Sequence, residues 1–126
     1  DALTALRHAD VTLGVCTNKP QALSEHVLNA TGIAAHFTAV VGGDATPRTK
    51  PDAAHVLHTL SNMGCDGLPF DFIGDSSIDA RAARACDARF LWAAWGYADA
   101  TDLGHYGRRL LAPSELTAAI LEAACA

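Results

Sequence analysis

The chain has 126 residues, half of them apolar and 18% charged, enough to bury one core and neither fibrous nor disordered in composition. A formal net charge of -5 makes nucleic acid and anionic membrane surfaces poor partners, although a local pocket on an acidic protein can still take a small anion. No run approaches the roughly 20 apolar residues that span a bilayer, and the first residues do not form a secretory leader.

The first short apolar run, Val11–Cys16, predicts a buried strand. It ends on Thr17-Asn18-Lys19-Pro20, where a hydroxyl, an amide and backbone N–H groups at a helix start suit either an anion or a simple N-cap. Leu23, Val27 and Leu28 then share a helical face that Gly32 stops. The second strand is Phe37–Val41, followed by Gly42-Gly43-Asp44 and a loop to Lys50-Pro51-Asp52. Lys50, just before a helix, is a fixed point charge or a solvated loop residue. Val56, Leu57, Leu60 and Met63 give the next helix its period, stopped by Gly64.

The third strand, Phe70–Ile73, runs into Gly74-Asp75-Ser76-Ser77-Ile78-Asp79. Two carboxylates four positions apart in a strand–loop–helix corner suit Mg²⁺, a hard cation that takes one or two protein carboxylates plus waters and substrate phosphate. Their alternative role is to cap the helix and favour its positive end. Ile78, Ala82 and Ala85 form that helix's expected face. Phe90–Ala94 is a fourth strand, Arg109–Leu111 a short fifth, and Leu116, Ala119, Ile120 and Ala123 a last helix that Ser114 can cap. Strand–helix alternation implies parallel strands with right-handed crossovers, hence an α/β fold: a three-layer α/β/α sandwich on a Rossmann-like sheet. Ligands of such sheets sit beyond the carboxyl ends of the strands.

Other groups carry less. Cys16, Cys65, Cys86 and Cys125 lack CxxC spacing and read as reduced cytoplasmic thiols, with Cys16 a strand residue facing the core. His55 and His58 are three apart on a helix, and His8, His26, His36 and His105 are scattered; all read as solvated surface. Arg81 and Arg84 read as a solvated face or ion pairs, Trp92 and Trp95 as core or sheet-edge packing.

Thr17, then Lys50-Pro51, then Gly74-Asp75 with Asp79, each after a strand, resemble motifs two, three and four of the haloacid dehalogenase (HAD) superfamily. The segments Thr17–Pro20, Gly42–Asp44 and Gly74–Asp79 resemble its phosphoglycolate-phosphatase-like branch, with Trp95-Gly96-Tyr97 at its Gly-Tyr-rich turn. Two departures are structural. Ala53 stands where the family has proline, with Asp52 able to start the helix, and Cys86-Asp87 stands where a glycine ends a helix.

The resemblance implies an Mg²⁺-dependent phosphatase acting on a small phosphorylated metabolite such as 2-phosphoglycolate, through an aspartyl phosphate. Thr17, Asn18 and Lys50 would hold the phosphate, with Thr17, Lys50 and Asp79 in the catalytic set. Asp75 and Asp79 would serve the metal, Asp79 through Lys50 or a bound water. The family's Asp-x-Asp motif, which supplies nucleophile and general acid/base, is absent, as is the cap. The expectation is therefore residues 1–126 as a HAD core lacking its first strand and cap, beginning away from the gene product's own start, since the only methionine is Met63. Between the strands ending at Cys16 and Ile73 either a gap or a strand supplied from elsewhere is expected, with the chain alone inactive and, unless so completed, poorly folded or aggregation-prone at its open edges. A phosphomutase or a non-catalytic HAD-fold interaction module are the alternatives, and a Mg²⁺-independent dehalogenase is disfavoured by Asp75. Oligomeric state is not legible.

Overall fold

The computed structural model describes residues 2–93 and 107–125; Trp95-Gly96-Tyr97 and His105 lie outside them. In chain order the elements are helix α1 (Ala2–His8), strand β1 (Gly14–Cys16), α2 (Gln21–Ala30), β2 (Ala39–Val41), α3 (Ala53–Asn62), β3 (Asp71–Gly74), α4 (Ser77–Ala85), β4 (Arg89–Ala93), β5 (Arg108–Leu110) and α5 (Leu116–Cys125). Every strand pairing among the described residues is parallel. No helix among the described residues is long and apolar enough to cross a membrane.

The alternation along β4 builds the layers, because successive side chains of a strand point to opposite faces. Phe90 and Trp92 pack with Val56 and Leu60 of α3 and Ala80, Ala82 and Ala83 of α4. Leu91 points the other way, into Leu6 of α1 and Leu116, Ala119 and Ile120 of α5. Helices therefore cover both faces, as the run of apolar residues demands. The strands nonetheless form two sheets, β1–β2 and β3–β4–β5, rather than one. Among the described residues no ladder joins β1 to β3, the pair between which a break was expected.

Local signals account for most helix boundaries. Asp52 caps α3 by accepting the Ala54 N–H at 2.8 Å, replacing the proline start. Asp87 ends α4 with φ of 54°, in the left-handed region that Asp tolerates, while Gly32 and Gly64 do the same for α2 and α3. Four expectations need correction. Leu57 is exposed and lies off the covered face of α3, which is His55, Val56, Thr59 and Leu60. Ser114 lies inside a 3₁₀ turn, Pro113–Glu115, and it is the Glu115 carboxylate that accepts the Leu111 N–H at 2.6 Å. Leu23 and Val27 of α2 are exposed, at 48% and 40%, and Ser24 is the one buried residue of that helix. In α4 the covered face is Asp79, Ala80, Ala82 and Ala83, so Ile78 and Ala85 point outward.

Candidate functional site

Two loops leave the carboxyl ends of β1 and β2 and lock together. The Thr17 N–H extends the ladder to Val41 O at 3.1 Å, and the Gly43 N–H reaches Lys19 O at 2.8 Å. Gln21 at the start of α2 takes the Gly42 N–H on its amide oxygen at 2.5 Å and donates to Val40 O at 2.8 Å. Asp44 accepts the Gln21 N–H at 2.7 Å, capping α2 from across the loop. Glycine is required at 42 and 43, because a Cβ there would overlap the backbone of Lys19, Gln21 and Asn18. The Thr17 hydroxyl accepts the Lys19 N–H at 3.2 Å, folding residues 17–19 into a tight turn.

Lys50 follows the second loop and reaches the corner after β3. Its ammonium forms an ion pair with Asp79 Oδ1, a contact between residues 29 apart in sequence, each side chain only 10% exposed. The other Asp79 oxygen accepts the Asp75 N–H at 3.2 Å and the Ser76 hydroxyl at 3.1 Å, while Ser76 Oγ caps α4 by accepting the Asp79 N–H at 3.3 Å. Gly74 permits this approach, since a Cβ there would overlap the Asp79 carboxylate. The Lys50 ammonium also lies 5.5 Å from the Phe72 ring centre. Asn18 closes the circle by donating its amide to Lys50 O at 3.0 Å. Lys50, Asp79, the Asp75 backbone and Asn18 are thus directly joined, and Thr17 is joined to them through β2.

Among the described residues no three or more His, Cys, Asp or Glu cluster as a ready-made metal cage. The donor set fits Mg²⁺, which needs only one or two carboxylates beside waters and substrate oxygens. Asp75, half-buried after β3, is the better donor. Asp79 is occupied on both oxygens and holds an ammonium that would repel a directly bound cation.

His55 was expected on the solvated surface; it is fully buried. It lies in the first turn of α3, facing β2, and its Nδ1 is 3.2 Å from the Lys50 N–H, its Nε2 3.0 Å from Val41 O. Burial holds its pKa below the usual histidine value, helped by Lys50 and His58 and opposed by the bond to Val41. The available signal was its spacing from Thr59, which shares the covered stripe and donates to His55 O at 2.9 Å. His58 is exposed, as expected. Burial raises the Cys16 thiol, against weaker lowering by Thr59 and Lys50, so this strand cysteine is a packing residue and a poor nucleophile.

The sequence matches the haloacid dehalogenase-like hydrolase family over residues 1–93. Among curated proteins it is 36% identical over 104 residues to a phosphoglycolate phosphatase of Chromobacterium violaceum, covering 82% of this chain and 47% of that protein. A phosphoglycolate phosphatase of Agrobacterium fabrum is 37% identical over 99 residues, covering 79% and 42%. The chain thus spans somewhat less than half the length of these two relatives. The crystal structure of a predicted phosphoglycolate phosphatase from Haemophilus somnus superposes with a TM-score of 0.84 at 25% identity, over 94% of this chain and 54% of that one.

Proposed function

The chain belongs to the haloacid dehalogenase-like hydrolase family, and we propose that it forms the phosphate- and metal-holding part of an Mg²⁺-dependent phosphatase for a small phosphomonoester such as 2-phosphoglycolate. The observation that carries this reading is the Lys50–Asp79 ion pair, which holds a nearly buried ammonium beside the Asp75 backbone and the Asn18 loop. Phosphoryl transfer needs little covalent chemistry from a protein beyond positioning and charge neutralisation, and this arrangement is suited to both. The names of the two curated relatives support the substrate class.

In this mechanism the Thr17 hydroxyl and the N–H groups after it hold the phosphate oxygens, with Asn18 beside them, and Lys50 neutralises their charge. Asp79 keeps the ammonium aimed and positions water near the cation. Asp75 would hold Mg²⁺, which supplies charge neutralisation at the phosphoryl group. The attacking carboxylate, in this reading, comes from an Asp-x-Asp segment, a motif the 126 residues do not contain, laid as a strand between β1 and β3, which no ladder joins among the described residues. Its oxygen bonds to phosphorus as the ester P–O bond breaks, and the leaving alkoxide takes a proton from the second carboxyl group of the same Asp-x-Asp segment. That carboxylate then takes a proton from the water whose oxygen bonds to phosphorus, releasing the aspartate and phosphate. The free thiols Cys16, Cys65 and Cys86 suit a cytoplasmic setting.

The test is turnover of 2-phosphoglycolate by the intact enzyme across a Mg²⁺ titration, wild type against Asp75→Asn. Turnover should fall on the order of 100-fold, since charge stabilisation at the reacting centre is lost, with Mg²⁺ affinity weakened in parallel. Near wild-type turnover at every Mg²⁺ concentration would remove Asp75 as a ligand and this mechanism with it.

A further inference from the structure

We propose that His55 is a positioning residue that sets Lys50 relative to the Thr17 loop by bridging two backbone groups. The inference rests on the phosphatase reading of Lys50. The bridge follows from what each partner can do. Val41 O can only accept, so His55 Nε2 carries the proton and donates across 3.0 Å. Nδ1 then keeps its lone pair and accepts the Lys50 N–H at 3.2 Å. The partners themselves dictate a neutral imidazole in one tautomer.

Val41 is the last residue of β2, and its carbonyl also accepts the Thr17 N–H at 3.1 Å. One carbonyl and one imidazole therefore connect the two residues assigned to the phosphate. Lys50 is held at three points: its N–H by His55, its carbonyl by Asn18 and its ammonium by Asp79. Only the last acts on the charge itself; the other two fix the backbone from which the side chain extends. An apolar side chain of similar size would fill the same space on α3 but leave the Lys50 N–H and half of Val41 O without these partners. Burial disfavours the imidazolium, which keeps the accepting lone pair available.

The experiment compares His55→Leu and His55→Asn with wild type and Lys50→Met in the intact enzyme. Affinity for inorganic phosphate is measured by calorimetry, KM and kcat with 2-phosphoglycolate, and Tm alongside. Leucine keeps the apolar packing and breaks both links; asparagine offers an oxygen where Nδ1 stood, restoring an acceptor for Lys50. Phosphate affinity should weaken about tenfold in His55→Leu, as expected when a binding group is slightly misplaced, and the asparagine variant should recover most of it whatever the two Tm values. Equal phosphate affinity in wild type and His55→Leu, or no recovery by asparagine, overturns the proposal. Should His55→Leu not fold, nitrogen NMR on wild type decides: a protonated Nε2 with an unprotonated Nδ1 supports the bridge, and the opposite tautomer or a charged ring overturns it. Lys50→Met separates the layers. If phosphate affinity is unchanged there, the phosphatase reading fails and takes this one with it; if it falls while His55→Leu stays normal, only the positioning role fails.

Discussion

The β3–β4–β5 sheet and the β1–β2 pair are held by different forces. In the larger sheet β4 buries Phe90, Leu91, Trp92 and Ala93 and feeds both apolar clusters. In the smaller one only Val41 is fully buried, and β1 has no fully buried residue. What the pair lacks in burial it makes up in directed polar bonds: Gln21 to Val40 and Gly42, Asp44 to Gln21, His55 to Val41. Apolar burial is non-directional and tolerates small shifts, whereas hydrogen bonds weaken steeply with angle and distance. The half that supplies Thr17, Asn18 and Lys50 is thus the half whose geometry is set by hydrogen bonds, and it is joined to the better-buried half through Lys50 and Asp79.

Cutting that junction should give the largest effect. Asp79→Asn leaves the nearly buried Lys50 ammonium without its counter-charge, and removing one partner of a buried pair costs about 3–5 kcal/mol. Urea denaturation of the intact protein measures the loss, and adding Lys50→Met should recover much of it. A single variant as stable as wild type would mean the two halves do not depend on this pair.

A smaller effect is expected inside the well-buried sheet. Arg89 of β4 grips Asp71 of β3 through two bonds of 2.9 and 2.7 Å and also donates to Ala119 O on α5 at 2.9 Å. The pair sits at the opposite end of the strands from Gly74 and Trp92. Arg89→Ala should cost about 1–2 kcal/mol, given charge-assisted bonds at partly exposed positions. Phosphate affinity should not change, because nothing at the site's edge moves. A stability loss together with a phosphate-binding loss would erase the distinction between the two regions.

The smallest effect is a pH slope belonging to the β1–β2 side. His55 titrates below its unfolded value, so between that depressed value and about 6.5 the unfolded chain holds a proton that the folded one refuses. Its contribution is whole above about 6.5 and declines as the pH falls, by at most about 1.4 kcal/mol per pH unit. The difference between wild type and His55→Leu, followed by denaturation from pH 7.5 down to 5, isolates it. Parallel curves would show that the imidazole takes its proton while folded.

The sequence alone determined the alternation of strands and helices, the stops at Gly32, Gly64 and Asp87, the cap at Asp52, and the order Thr17, Lys50, Asp75, Asp79 along the carboxyl edges. These are local or periodic properties, written within a few residues of where they act. The tertiary structure decided which helical faces are covered. A 3.6-residue period marks a stripe at Leu23 and Val27 without saying whether anything lies against it, and here nothing among the described residues buries it. It also decided the meaning of His55: two apolar neighbours and an i, i+4 threonine do not reveal that Val41 O and the Lys50 N–H stand on either side of the ring. Both partners are main-chain groups, so no side-chain pattern encodes them; they meet only when β2, the Lys50 loop and the first turn of α3 are brought together.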